Sequence, residues 1–407
     1  MTVRKAPLPR RPLLACYGGG HAQIISILAK ALIAEGVTPR IIGFTTAYRA
    51  LKLDGLPAFS VEALADPDPA ADAPFREAVQ PFLVGNTHPD VTARETETYF
   101  ALGLRGLADE IGMDAALEVL RTNGRKAFCP VSIMERYLQR NRFDCVVATT
   151  SPRYELALLR AARRVGIPSL AVSDLFLLNE RNWILAQPYA EHLTVLTWTL
   201  KQELIRSGLV GTEIHVTGNP VFDGLVAAEG EDAKRARLRA ELGLTGRKVI
   251  LWPSPAVTRT ALYDRALLTP EQLTAAFEPF CCANPEFAYL LRPHPNTPYA
   301  MPDGADHGVL DPGLSAEDAL LVADVVCVEL STMGLQAALR GLPVICVGFS
   351  AEAVYPGYGL AHSVDTLDDA LRLLARRGDL APPANQVLPP LGTATQAILD
   401  VMRKMMT

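Results

Sequence analysis

The sequence predicts an α/β protein built from two Rossmann-like, doubly wound halves. Three observations predict it. Short apolar runs rich in Val, Ile, Leu and Cys alternate with stretches whose apolar residues fall at helical spacing, and such runs read as strands buried on both faces of a parallel sheet. The first run leads straight into a glycine-rich turn and then a helix, as a doubly wound half begins. At 407 residues the chain exceeds one ordinary core. A charged, Ala-rich segment, Glu229 to Gly246, divides the alternating pattern into two similar parts, so the expected domains are 1–228 and 229–390.

In the first half, PLLACY (Pro12 to Tyr17) is a strand. Gly18, Gly19, Gly20 and His21 follow it, and Ile24, Ile25, Leu28 and Leu32 then keep helical spacing up to Gly36. GGGHAQ does not have the GxGxxG spacing of a dinucleotide fingerprint. Arg40 to Thr46 is the second strand. Leu53 to Pro89 is rich in Pro, Ala and Asp and reads as an irregular excursion. Val91 to Leu120 and Val131 to Asn141 read as helical. Strand FDCVVATT, helix Arg153 to Val165, strand IPSLAVSDL, strand HLTVLT, helix Leu200 to Ser207 and strand EIHVTGN complete the half.

The second half opens with strand KVILWPSP and helix Pro270 to Cys282. Strand FAYLLRPHPN and helix Ser315 to Ala323 follow, then Glu329 to Gly348, ELSTMGLQAALRGLPVICVG. Just before this stretch ADVVCV reads as a strand, and Ser331 and Thr332 follow as it ends, where an N-cap is expected. Met333 to Arg340 supplies helix formers, Gly341 stops them, and VICVGF is the next strand. A strand, a hydroxyl-bearing turn and a helix start make a candidate anion site, and Gly334 leaves room for a ligand to approach the backbone. A well-capped βαβ unit with no ligand is the plain alternative. Helices over Asp368 to Arg377 and Thr393 to Met406 close the chain.

Composition narrows the function classes. Hydrophobic residues make up 49% and charged residues 20% of the chain, which suits a globular protein with ample core. The net charge of −5, spread along the chain, argues against nucleic acid as the main partner. Seven cysteines with no C-x-x-C spacing read as small core residues in a reducing cytoplasm. No apolar run reaches the roughly 18 residues of a membrane span. MTVRKAPLPRRP is basic without a secretory apolar segment; it reads as a disordered tail, or as a peripheral contact with an anionic membrane surface.

Three stretches in this order resemble the GT-B superfamily of nucleotide-sugar enzymes. YGGGHA resembles the Gly-Gly-His loop of lipid-linked N-acetylglucosaminyltransferases. VTGNPVFDGL (Val216 to Leu225) is similar to the segment before the hinge in UDP-N-acetylglucosamine 2-epimerases and lipid A disaccharide synthases. The serine–glycine turn with AALRGLPVI is similar to the segment that binds nucleotide phosphates in these enzymes. RPHPN (Arg292 to Asn296) ahead of the serine turn resembles CMP-sialic acid and CDP-glycerol transferases. The resemblance implies a GT-B fold, two Rossmann-like domains facing each other across a cleft. It implies a hinge near Val221 to Gly246 and a C-terminal helix, 391–407, that returns to the first domain. It also implies a glycosyltransferase that moves a sugar from a UDP- or CMP-linked donor to a glycan, lipid-linked or protein acceptor.

The expected reaction is inverting and metal-independent, with no cofactor, since no DxD motif sits at a strand end. A 2-epimerase or nucleotide-sugar hydrolase is the alternative, and a non-catalytic GT-B-like subunit a third reading. The 2-epimerase pattern of acids and a His-Arg pair is not kept: the strand before Arg153 ends in TTSP, and the later strand reads LWPSPAVTR. A second copy of the chain is a further candidate partner.

Group transfer from a nucleotide sugar needs a base for the acceptor proton and stabilisation of the leaving phosphate. His21 is the candidate base, at a helix start whose dipole should favour the neutral imidazole. Asp174 is the second catalytic candidate; with Glu180 it follows a strand end and would face the acceptor. Gly19 and Gly20 open the backbone to ligand. Ser331, Thr332, Met333 and Gly334 would hold the leaving group, with His294 or Arg292 nearby and Ser254 and Arg259 on the diphosphate. Gln336 would reach ribose or sugar hydroxyls, and Glu329 would bind ribose or pair with an arginine. Asn219 and Pro220 would shape the interdomain turn. His88, His192, His215, His307 and His362 carry no assigned role.

Overall fold

The computed structural model describes residues 6–186, 189–254, 259–260, 265–294, 298–348, 358–376, 380–381 and 388–407. The basic start, Met1 to Lys5, lies outside them. The chain divides into two compact units, Met1–Gly224 with Leu388–Thr407, and Leu225–Val387.

The first unit is a seven-stranded parallel sheet: β1 (Pro12–Cys16), β2 (Arg40–Gly43), β3 (Ala58–Phe59), β4 (Cys145–Thr149), β5 (Ser169–Val172), β6 (His192–Val195) and β7 (Glu213–Val216). Their spatial order is β3-β2-β1-β4-β5-β6-β7. Strands β1, β4 and β5 are buried along their whole length, which is why they read as unbroken apolar runs. Their alternate side chains feed two cores, one on each face of the sheet.

The second unit holds β8 (Lys248–Pro253), a short hairpin of β9 (Arg259–Thr260) and β10 (Arg265–Ala266), then β11 (Phe287–Arg292), β12 (Gly308–Leu310), β13 (Val325–Val328), β14 (Val344–Val347) and β15 (His362–Val364). Its six-stranded sheet runs β12-β11-β8-β13-β14-β15, all parallel. Each unit is therefore wound outward in both directions from its first strand, as in a Rossmann fold. The strand order reverses between β1 and β4 in one unit and between β8 and β13 in the other.

The C-terminal helix, Ala394–Lys404, belongs to the first unit. It buries Ile398, Leu399, Val401 and Met402 in the core shared with helix Gly20–Ala34. Arg403, also buried, pairs with Glu35 at 3.1 Å. The residue before the helix, Thr393, gives it no side-chain cap. Asp223, from the middle of the chain, supplies the cap, accepting from Ala394 N–H at 3.0 Å and Thr395 N–H at 2.7 Å.

Some elements differ from the sequence reading. The Leu53 to Pro89 segment contains β3, three short 3₁₀ turns and helix Ala73–Val79. It is ordered from outside: the guanidinium of Arg105, on helix Ala93–Ile111, binds the buried carboxylate of Asp72 at 2.6 Å and reaches Asp66 at 3.3 Å. The helical stretch after Val91 is two helices, Ala93–Ile111 and Met113–Asn123, divided at Gly112 with φ 82°. Strands β12 and β15 went unforeseen because three residues give no period to read. The cysteines are all free thiols, and five of the seven are buried. Among the described residues no helix is long and apolar enough to cross a membrane.

If Asp223 caps the last helix, Asp223→Ala should cost about 1–2 kcal/mol, the scale of a lost charged N-cap. Chemical denaturation followed by circular dichroism measures this; an unchanged midpoint would show that the apolar face alone docks the helix.

Candidate active site

Ligands of open α/β sheets bind outside the carboxyl ends of the strands, where the strand order reverses. In the first unit that place lies between the loops after β1 and β4, and the structure brings His21 from one to Thr149 and Ser151 of the other. The glycines make this approach possible. A Cβ on Gly18 would lie 1.9 Å from Thr46 Oγ1, so any larger residue would have to displace that side chain at the start of helix Thr46–Leu53. Gly19 has φ 69°, which glycine alone adopts without strain. Gly20 is the first residue of helix Gly20–Ala34 and is exposed.

His21 Nδ1 lies 2.6 Å from Thr149 Oγ1, and Thr149 donates its only proton to Glu155 Oε2 at 2.7 Å. With Glu155 ionised, the hydroxyl accepts from His21, which puts a proton on Nδ1 and leaves Nε2 as the basic nitrogen. Nε2 faces Asp174 Oδ2 at 3.3 Å. Glu155 is completely buried. Besides Thr149 it accepts from Tyr17 N–H at 2.6 Å and Ser151 N–H at 2.9 Å, so one carboxylate joins the ends of β1 and β4.

Asp174, after β5, is anchored on both sides. Its carboxylate accepts from Leu175 N–H at 2.7 Å, and its carbonyl accepts from the Asn219 amide at 2.7 Å. Asn219 is buried and also accepts from Val221 N–H at 2.9 Å. The VTGNP turn thus holds the partner of His21 in place, a role the sequence reading did not give it.

The electrostatics correct one expectation. The helix dipole was expected to favour a neutral His21, but its pKa is raised. Burial is the largest single influence and pulls it down; the bond to Asp174 and the fields of Glu155, Asp174 and Glu180 together outweigh it. Burial pushes the Asp174 carboxyl up, but the bond and charge of His21 hold it below its ordinary value. Burial lifts Glu180, helped by the Asp174 charge. Burial also lifts Glu155, against its hydrogen bonds and the charge of His21.

In the second unit the order reverses between β8 and β13. Ser254, after β8, shares a hydrogen bond with Tyr299 Oη at 3.1 Å, and its N–H donates to the Arg292 carbonyl at 2.9 Å. The Arg292 guanidinium turns inward, paired with the buried carboxylate of Asp311 and donating to Leu314 O at 2.8 Å. His294 is half-buried two residues beyond β11. Glu329 is buried and accepts from Leu268 N–H at 3.2 Å, tying the end of β13 to the segment before helix Pro270–Ala283. Ser331 Oγ accepts from Met333 N–H at 3.3 Å. Thr332 is exposed and makes no side-chain cap; Met333 and Gly334 are buried, and Gln336 is half-buried in helix Met333–Leu339. The Arg259 backbone pairs with Ala266; its side chain and Asn296 lie outside the described residues.

Glu155, Thr149 and Ser151 were missed. The one signal was an acid, Glu155, set among apolar helix positions. Among the described residues one group could hold a metal ion: His192, Glu213 and His215, at the amino ends of β6 and β7, away from this site. Burial pushes the His215 imidazole down to about 4.

No family model and no curated protein sequence matches this chain. Solved structures do match it along nearly its whole length. The UDP-GlcNAc 2-epimerase of Neisseria meningitidis, bound to UDP-GlcNAc, superposes with a TM-score of 0.60 at 12% identity, over 97% of this chain and 100% of that one. The UDP-GlcNAc 2-epimerase of Methanocaldococcus jannaschii gives 0.56 at 12%, over 97% and 99%. The MurG protein of Acinetobacter baumannii gives 0.53 at 14%, over 97% and 100%. The fold is GT-B, the architecture that the sequence motifs resemble.

Asp174→Asn should lower the His21 pKa, because burial then meets less opposition. Titration of the imidazole by NMR checks this; an unchanged value would break the proposed pair. Since the folded pKa is raised, the imidazolium stabilises the fold fully below about pH 6.5, the ordinary histidine value. That stability is lost as pH rises through the folded pKa. The variant should show a shallower fall in unfolding free energy across that window.

Proposed function

We propose that the chain is a glycosyltransferase that moves a sugar from a nucleotide-sugar donor to a hydroxyl-bearing acceptor. One observation carries this reading: His21 has its Nδ1 proton fixed by Thr149 and Glu155, and its Nε2 beside Asp174 at the sheet edge where ligands bind. An imidazole oriented through one nitrogen and basic at the other is the arrangement general-base catalysis uses. The acceptor hydroxyl would give its proton to Nε2 as its oxygen bonds to the anomeric carbon. The bond from that carbon to the donor phosphate oxygen would break, and its electron pair would leave with the nucleotide. Asp174 would stabilise the imidazolium that forms.

In this reading the first unit carries the base and the acceptor, and the second unit the donor. Support for a donor site comes from the reversal of strand order at β8 and β13, the exposed Thr332 hydroxyl and the Ser331 turn. The similar structures with bound UDP-GlcNAc suggest a UDP-linked donor, and the RPHPN segment keeps a CMP-linked donor in view. The acceptor would be a glycan, a lipid-linked sugar or a protein. A lipid-linked acceptor would bring the chain to a membrane surface.

A 2-epimerase or nucleotide-sugar hydrolase is the second reading, and the three acids around His21, Glu155, Asp174 and Glu180, favour it. Incubation with a nucleotide sugar and no acceptor separates the two: an epimerised or hydrolysed donor would select the second.

His21→Ala should cut turnover about 10²–10⁴-fold while nucleotide affinity stays near wild type. A variant with full turnover would remove His21 as the base. Ser331→Ala with Thr332→Ala should weaken nucleotide binding by about 1–3 kcal/mol, the scale of lost hydrogen bonds to a charged group. Calorimetry with UDP, CMP, CDP and GDP measures that loss; unchanged affinity in the folded double variant would return the turn to a plain helix start.

A further inference from the structure

Beside the glycine turn the first unit holds a cavity of about 300 Å³ that the His21 chemistry does not use. Its size is at the lower end for small-ligand sites. Tyr99 and Phe100 give it an aromatic wall, Thr45 and Asn86 give it polar groups, and Arg125 and Arg153 bring two guanidiniums.

Arg153 is held there at a conformational cost. It joins β4 to helix Tyr154–Arg164 with φ 70°, in a region an L side chain rarely adopts. Thr45, which joins β2 to helix Thr46–Leu53 and lines the same cavity, has φ 53°. Gly19 makes the equivalent turn after β1, with glycine to carry it. Two strained non-glycine turns thus meet at one cavity. Strain of this kind clusters at ligand sites because it fixes where a side chain points. Here it sets the Arg153 guanidinium 4.9 Å from the Tyr17 ring centre.

Arg153 Nε is buried with no hydrogen-bond partner, and neither Arg153 nor Arg125 makes an ion pair among the described residues. A buried guanidinium hydrogen left unmet is costly. The carboxylate in the wall, Glu95, is already engaged, accepting from Thr92 N–H and Oγ–H at 2.9 Å each. The wall thus sets two guanidiniums, one half-buried and one exposed, against a single engaged carboxylate.

We infer that this cavity binds an anionic, polyhydroxylated small molecule, of the sugar-acid or sugar-phosphate class. Its carboxylate or phosphate meets Arg153 and Arg125, and its ring lies against Tyr99 and Phe100. A guanidinium fork matches either anion in two-point fashion, and aromatic faces with nearby hydroxyls suit a sugar ring. Assigning this anion to the acceptor rests on the transferase reading; the binding itself does not.

The test is titration of the full chain, without nucleotide, with D-glucuronate, D-glucose 6-phosphate and D-glucose, followed by ligand-observed NMR. At least one of the two acids should bind about tenfold or more tighter than glucose, as charged hydrogen bonds dictate. Whichever acid binds identifies the anion. Arg153→Gln should abolish that preference, and so should Arg125→Gln, whose exposed side chain puts folding at no risk. Equal binding of glucose and both acids, no binding of any, or an intact preference in both variants would overturn the assignment. Because nucleotide is absent, failure here leaves the base assignment of His21 standing, and loss of that assignment leaves this result standing.

Discussion

A fully buried carboxylate must be met by donors, and in the first unit the site is built around meeting one. Glu155 sits at the start of helix Tyr154–Arg164 with no access to water. Its acceptors are filled by Tyr17 N–H, Ser151 N–H and the Thr149 hydroxyl. An unmet buried charge costs far more than an ordinary hydrogen bond returns. The ends of β1 and β4 are therefore fixed relative to each other, and the orientation of His21 follows, since Thr149 has one proton and gives it to Glu155. Asp174 then meets the other nitrogen of the imidazole, held in turn by Asn219.

Around this centre the strand-to-helix turns carry the site's geometry. The three turns after β1, β2 and β4 all have positive φ, at Gly19, Thr45 and Arg153. The first is met by glycine, and the other two are held under strain by their surroundings. A sharp turn of this kind brings the helix start close to the strand end, so that side chains from neighbouring loops share a small volume. The cavity with its two guanidiniums lies where two of these turns meet.

The second unit has the same winding but uses its charges differently. Arg292 is engaged by Asp311, and Glu329 by the Leu268 amide, so both hold strand ends in place. At the Ser331 turn the exposed Thr332 side chain makes no helix cap. In the first unit the titratable groups at the strand ends face one another across the loops; in the second, these two are folded inward.

The sequence by itself determined the architecture. Buried parallel strands need unbroken apolar runs, and helices on a sheet need a 3.6-residue stripe, so both units could be read from local pattern. His21 and Asp174 stood out as candidates locally, a histidine directly after three glycines and an acid at a strand end, and the fold sets them side by side. The short strands β12 and β15 carried too little period. The order of the 53–89 segment came from Arg105, far along the chain. Only the tertiary structure decided which groups act together. Thr149, Glu155 and Asn219 look like ordinary strand, helix and turn residues until the fold brings them to His21 and Asp174. The same holds for the charge on His21: the local helix start argues for a neutral ring, but carboxylates from two other segments, the helix after β4 and the loop after β5, hold its pKa up. Local periodicity records what each segment buries, whereas a proton's affinity for one nitrogen depends on every charge within a few ångströms, and that neighbourhood exists only once the chain has folded.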